Sequence, residues 1–239
     1  MTSRAILITG ASKGIGRALS ERLISAGHQV IGIARNADPT FPGELHELDL
    51  ADPAATATAL REIVARRSID GVVNNVGLAR PQPLGAVDLA DLAAVLDLNL
   101  RPALQAVQAV LPGMQAAGHG RIVNISSLTV LGFVQRTSYA AAKAALISFT
   151  RSWALELART GITVNAIAPG PTETELFRTH NPPGSEGEAR YLAAVPMGRF
   201  ARPDEIAADI AFFLSDEARF ITGQTLFVDG GASIGRAPI

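Results

Sequence analysis

Short apolar runs alternate along the chain with longer segments whose apolar positions recur at helical spacing. The runs cover residues 5–9, 29–33, 44–48, 71–74, 121–125, 163–167 and 225–228. Rich in Val, Ile and Leu and bounded by Gly, Asn, Asp or Pro, they predict seven strands. Between them, residues 15–26, 54–67, 89–117, 139–159 and 203–214 are long enough to be the crossover helices that parallel strands require. The pattern predicts an α/β fold: one doubly wound, mostly parallel seven-stranded sheet with helices on both faces, in three αβα layers. Ligands of such sheets bind beyond the carboxyl ends of the strands. No composition break divides residues 1–239, so one domain is expected. Residues 172–197, with Asn181-Pro182-Pro183-Gly184 and then acidic residues, read as a mobile substrate flap, with an ordered two-helix insertion as the alternative.

Composition narrows the partners. The chain has 21 basic and 22 acidic residues, a formal charge of −1, which supplies no general attraction to nucleic acid or to an anionic membrane. A small-molecule partner is expected. With no Cys among its 239 residues, the protein has no thiol catalysis, disulfide or thiolate zinc site, which is compatible with a cytoplasmic address. The apolar start at residues 5–8 is too short for a signal peptide, and no run reaches the roughly 18 apolar residues of a membrane span. His28, His46, His119 and His180 lie on separate elements without metal-ligand spacing, so surface or capping roles and no metal site are expected.

The chemistry begins at Thr9-Gly-Ala-Ser-Lys-Gly-Ile-Gly16, which follows the first strand and opens the first helix. A nucleotide pyrophosphate can sit there on unpaired helix N–H groups. Gly10 permits the tight turn, Gly14 lets backbone approach phosphate, and Gly16 lets helix and strand pack closely. The spacing is GxxxGxG rather than GxGxxG. Further on, Tyr139-Ala-Ala-Ala-Lys143 sets a phenol and an ammonium four residues apart on one helical face, where both can reach one substrate oxygen. A phenol ordinarily titrates near pH 10, and a neighbouring ammonium favours its ionised form.

Together with Asn74-Asn-Val-Gly77, Asn99, Ser126-Ser127 and Pro169-Gly170, these motifs resemble the short-chain dehydrogenase/reductase family in its compact single-domain branch, over Ile6 to Gly231. The look is closest to 3-oxoacyl-thioester reductases and sugar or polyol dehydrogenases. The resemblance implies a Rossmann-type fold, a nicotinamide cofactor, and reversible hydride transfer between a carbonyl and an alcohol. It makes Tyr139 the acid/base, with the positive nicotinamide ring joining Lys143 in favouring phenolate, and has Lys143 also hold the nicotinamide ribose. Strand alternation lets only one of the two serines face the site. The family pattern places Ser127 there and leaves Ser126 as a packing hydroxyl. Asn99 matches the residue that holds a helix kink and a water leading from Lys143 to solvent.

The resemblance also sets Gly10, Ser12, Lys13, Gly14, Ile15 and Gly16 around the cofactor phosphates. Members preferring NAD usually carry an acid where Ala34 stands; here Arg35 and Lys13 can instead bind a 2′-phosphate, so NADP(H) is expected ahead of NAD(H). Asp38 is the alternative ribose acceptor. Asp49 and Leu50 match the adenine-edge contact, with Asp49 open to a second role as a cap for the next helix, where Asp52-Pro53 caps better. Asn75 and Gly77 match the ribose approach, with Asn74 as a tie between strands. Pro169, Gly170, Thr172 and Thr174 match the segment against which nicotinamide packs, with Ile167 or the backbone at Thr172 orienting the carboxamide. A substrate pocket is expected from residues 128–136, 78–83 and the flap, mixing Leu131, Phe133, Phe177 and Tyr191 with Arg136, Arg178 and Arg190. The surplus apolar positions of the helices at 89–117 and 139–159, Trp153, Leu155 and Leu157 among them, predict a homotetramer. Two other readings stay open: an NAD-dependent sugar or polyol dehydrogenase, and a non-catalytic cofactor sensor.

Overall fold

The computed structural model describes residues 3–235; the side chain of His180, and with it the role expected of that residue, lies outside the description. The strands are β1 (Ala5–Thr9), β2 (Gln29–Ala34), β3 (Glu44–Glu47), β4 (Gly71–Asn74), β5 (Gly120–Ile125), β6 (Ile162–Pro169) and β7 (Thr225–Val228). They form one parallel sheet in the order β3-β2-β1-β4-β5-β6-β7. The helices are α1 (Gly14–Ser25), α2 (Pro53–Arg66), α3 (Leu89–Ala117), α4 (Thr137–Leu157), α5 (Glu175–His180), α6 (Glu186–Ala193) and α7 (Pro203–Leu214).

Every residue of β1, β4, β5 and β6 is buried, which is why these strands are apolar on both faces instead of alternating with polar positions. Alternation instead sorts their side chains between two cores. Leu7 points to Leu60, Ile63, Val107, Val110 and Leu157 of α2, α3 and α4. Ile6 and Ile8 point to Leu19, Leu23, Ile210 and Phe213 of α1 and α7. Helix starts follow local chemistry: Asp52 accepts from the N–H groups of Ala54 and Ala55 with Pro53 at the first turn of α2, and Asp88 caps α3.

Residues 172–197 hold the two helices α5 and α6 of the alternative reading. Thr174 and Ser185 cap α5 and α6, and Arg178 ties the helices together through Glu173 and Glu188. The chain winds from β1 outward to β2 and β3, then returns to place β4 on the other side of β1. That reversal opens a crevice at the carboxyl ends of β1 and β4. No helix among the described residues is long and apolar enough to cross a membrane.

Candidate active site

The crevice floor is the glycine turn. The N–H groups of Gly10 and Ala11 donate to the Ile33 carbonyl at 2.8 and 3.2 Å, bending the chain back against β2. From the end of β4, the Asn75 amide donates to the carbonyls of Thr9 (3.1 Å) and Gly10 (3.0 Å). The Asn75 side chain, expected beside a ribose, is therefore spent bracing the turn. Gly16 fits so tightly that a Cβ would lie 2.2 Å from the Gly10 carbonyl oxygen. Ser12 and Ile15 are half-buried, Ile15 against the core. No side chain caps α1 and no acid stands in its first turn. Among the described residues its leading N–H groups meet no side-chain acceptor, leaving the positive end of the helix open to an anion.

Around the turn the charged residues divide. Lys13 pairs with Glu175 at 3.0 Å, both side chains 70% exposed, so it is not the free cation the sequence implied. Arg35 is exposed beyond β2 and belongs to no ion pair among the described residues. Asp38 is tied back by Arg17 at 2.8 Å and by the N–H and hydroxyl of Thr40 at 2.9 and 2.7 Å; chiefly the Thr40 bonds hold its carboxyl below the ordinary range. It is occupied, which weighs against the alternative ribose acceptor. Asp49 is exposed and accepts from Ala51 N–H at 2.9 Å, while the Leu50 side chain is buried in the core and off the crevice surface. Asn74 donates to Asn124 at 2.8 Å, the inter-strand tie.

At the end of β5 the two serines diverge as alternation requires. Ser126 is buried and donates to the Lys143 carbonyl at 2.9 Å. Ser127 accepts from the N–H (3.2 Å) and hydroxyl (3.0 Å) of Thr129. Both acceptor directions are thus filled and its proton is left to donate. Thr129 was not singled out by sequence, and its only signal was a hydroxyl two residues beyond Ser127.

Lys143 is only 2% exposed; its Nζ donates to the Ile125 carbonyl at 2.9 Å and stands 5.7 Å from the Tyr139 ring centre. Burial lowers its pKa to about 8. Burial also pushes the Tyr139 phenol above its ordinary value, against the pull of the Ser127 hydrogen bond and the Arg136 charge. The Lys143 ammonium is committed to a carbonyl and is not among the groups that act on the phenol here, so the joint effect expected of Lys143 and a nicotinamide ring is a matter for the loaded site. Asn99 donates to the carbonyls of Val95 (2.7 Å) and Leu78 (2.9 Å), while its buried Oδ1 has no partner. A Cβ on Gly77 would lie 3.2 Å from both that oxygen and Lys143 Nζ, so a glycine leaves room beside both.

The opposite wall comes from the end of β6. Pro169 closes the strand, and Gly170 lies where a Cβ would meet the Asp229 Cα at 2.7 Å. The Asp229 carboxylate holds the N–H groups of Gly231 and Ser233 at 2.9 and 2.8 Å. Thr172 is buried and donates to the Gly170 carbonyl at 3.0 Å; Thr174 caps α5 with its hydroxyl and lays its methyl against Gly14. The Ile167 side chain points into the core. Of the expected substrate side chains, Phe133 stacks on Tyr191 at 5.2 Å, and Phe177 meets Tyr191 edge-on at 5.3 Å. Leu131 is exposed. Arg178 is consumed by Glu173 and Glu188, whereas Arg136 and Arg190 line a cavity.

Known proteins resemble this chain over nearly its whole length. A family model described as enoyl-(acyl carrier protein) reductase matches residues 10–233. The 3-oxoacyl-[acyl-carrier-protein] reductase FabG of Escherichia coli (strain K12) is 39% identical over 235 residues, covering 94% of this chain and 95% of the relative. Acetoacetyl-CoA reductase of Shinella zoogloeoides is 37% identical over 238 residues, covering 96% and 98%. The solved structure of gluconate 5-dehydrogenase from Burkholderia cenocepacia J2315, in complex with NADP and tartrate, matches with a TM-score of 0.90 at 35% identity over 98% of this chain and 97% of that one. The chain is a member of the short-chain dehydrogenase/reductase family of oxidoreductases.

Proposed function

We propose that the protein is an NADP(H)-dependent ketoreductase that interconverts a carbonyl compound and a secondary alcohol. The observation that carries this reading is that Ser127 follows directly on β5, where the Lys143 Nζ bonds the Ile125 carbonyl and stands 5.7 Å from the Tyr139 ring centre. The residues present fit the cofactor: the uncapped start of α1, the bare Gly77 beside Lys143 Nζ, and the unpartnered Asn99 oxygen.

Gly10, Ser12, Gly14, Ile15 and Gly16 would hold the pyrophosphate, and Arg35 with Lys13 the 2′-phosphate. The Lys13–Glu175 pair is exposed and screened, so exchanging it for a phosphate costs little. The Asp49 side chain and the Leu50 backbone would border the adenine, the backbone at Asn75 and Gly77 the ribose, and Pro169, Gly170, Thr172 and Thr174 the nicotinamide. When bound, the nicotinamide supplies or accepts the hydride. Ser127 donates a hydrogen bond to the substrate oxygen, and Tyr139 gives that oxygen its proton in reduction and takes it back in oxidation. Lys143 holds a ribose hydroxyl and adds positive charge beside the phenol, and Asn99 Oδ1 accepts from the water that returns a proton from solvent. Of the residues expected to be surplus, Leu157 lies in the core and Trp153 packs against it, so it is the exposed Leu155, with Leu104 of α3, that supports a homotetramer, which a monomer in light scattering would refute.

The test is NADPH oxidation with acetoacetyl-CoA. Tyr139→Phe is expected to lose at least about a hundredfold in kcat while still binding NADPH. Unchanged turnover in that variant overturns the mechanism, and NADPH binding without turnover of any carbonyl favours the sensor. NADPH is expected to surpass NADH at least about tenfold in kcat/KM, a gap near 1.4 kcal/mol. Arg35→Ala closes that gap; equal values in the wild type overturn the preference.

A further inference from the structure

A cavity of about 280 Å³ opens between the loop before α4 and the helix α6, walled by the stacked rings of Phe133 and Tyr191. Arg136 and Arg190 line it, and no carboxylate does. Other arginines nearby are matched: Arg178 with Glu173 and Glu188, Arg199 with Glu205, Arg202 with Asp204. Arg136 and Arg190 belong to no ion pair among the described residues. The Arg136 Nη1 is buried without an acceptor, and its Nη2 reaches only the Tyr191 hydroxyl, at 3.5 Å.

This arrangement opposes stability. A buried N–H without an acceptor is costly. Arg136 also occupies the N-cap of α4, where its side chain caps nothing and its charge opposes the helix dipole. The chain enters that position through Gln135 at φ 60, the one non-glycine residue with positive φ among those described. Backbone strain of this kind gathers at ligand sites. An anion in the cavity resolves each conflict: it accepts from Nη1, offsets two cations, and offers the planar guanidinium a bidentate partner.

Arg136, the N-cap of α4, precedes Tyr139 by three residues, and its charge acts on the Tyr139 phenol. We infer that this cavity is an anion subsite, in which Arg136 and Arg190 hold the carboxylate of a small oxo acid so that its carbonyl lies at Tyr139. The inference rests on the ketoreductase reading and names its substrate class. Its volume lies just below the roughly 300–1,000 Å³ of small-molecule pockets, which suits an acid of a few carbons. The carboxylate is a handle and undergoes no bond change; hydride goes to the carbonyl carbon and the Tyr139 proton to its oxygen.

The test compares acetoacetate, its neutral ethyl ester and acetoacetyl-CoA as substrates with NADPH. In Arg136→Met the kcat/KM ratio of acetoacetate to ester is expected to fall at least about tenfold, the loss of a charge-assisted bidentate contact. Arg190→Met lowers the ratio less, and Arg136→Lys restores part of it. Neither arginine holds an ion pair, and unaltered melting temperatures confirm intact folds. A ratio unchanged in both Met variants overturns the proposal, as does an Arg136→Met effect confined to acetoacetyl-CoA, which would assign the anion to a phosphate. Calorimetric binding of succinate separates this proposal from the reading beneath it. Succinate bound by the wild type and not by Arg136→Met, with no carbonyl turned over, keeps the subsite and removes the ketoreductase. Turnover without succinate binding does the reverse.

Discussion

Replacing Gly16 with Ala tests the contact on which the glycine turn depends. Position 16 lies inside α1 without a positive φ, so the change by itself gains about 1 kcal/mol of helix propensity. The new methyl, however, would stand 2.2 Å from the Gly10 carbonyl oxygen, 2.9 Å from the Asn75 amide nitrogen and 3.0 Å from the Ala11 Cα. Carbon–oxygen contacts are ordinarily no closer than about 3.3 Å, so α1 must retreat from the turn by about 1 Å. None of the obstructing atoms is the end of a mobile side chain, since two are backbone and the third clamps the turn to β4. Overpacking costs about 1–3 kcal/mol, and each Asn75 hydrogen bond lost costs about 1 kcal/mol more. The net expectation is a loss of about 2 kcal/mol, or roughly 4–8 °C in Tm for a chain of this length. Scanning calorimetry reads the stability, and fluorescence titration with NADPH reads the turn, which is expected to bind more weakly. Gly113→Ala is the matched control: that residue lies exposed in α3 with nothing within 4 Å of its added Cβ, so it is expected to gain up to about 1 kcal/mol. The reasoning fails if Gly16→Ala melts at or above the wild type with its NADPH affinity intact, or if both variants shift the same way.

Other predictions follow from buried polar groups and from the two-helix insertion. Lys143 titrates at about 8 in the folded protein against 10.5 unfolded, so the unfolded chain holds more protons between those values and stability rises with pH from about 8. The slope is at most about 1.4 kcal/mol per pH unit, and above pH 10 the raised Tyr139 pKa opposes it. Lys143→Met should flatten the rise in urea midpoints between pH 8 and 10; parallel slopes would contradict this. Asn124→Ala removes the partner of Asn74 (2.8 Å) and of Thr150 (2.9 Å) and should cost about 2–3 kcal/mol by chemical denaturation, so a near-neutral result would show that the chain of bonds is unimportant. Arg178→Ala should speed amide hydrogen exchange through residues 175–193 while leaving the global midpoint nearly unchanged; unaltered exchange there would mean that the Glu173 and Glu188 pairs do not order the insertion.

Much of this molecule was legible in one dimension. A strand buried on both faces must be apolar throughout, a crossover helix must repeat its apolar positions, and Asp52-Pro53 starts α2 by bonds to its immediate neighbours. Tyr139 and Lys143 share a face because four residues make about one helical turn. The family pattern likewise set Ser127 apart from Ser126 before coordinates divided them. What required the tertiary structure was every pairing that crosses the sheet or a loop. Asn75 reaches back 65 residues to brace Gly10, Arg17 claims Asp38 from 21 residues away, and Arg178 is spent on two acids while Arg136 and Arg190 are not. The insertion at 172–197 is ordered by those same ion pairs and by two caps, which composition alone did not rank above a mobile loop. The protonation of Lys143 and Tyr139 belongs with these. Periodicity and capping are short-range rules read within a few residues, whereas partner choice and desolvation depend on which distant segments the crossovers bring together and on how much water they exclude.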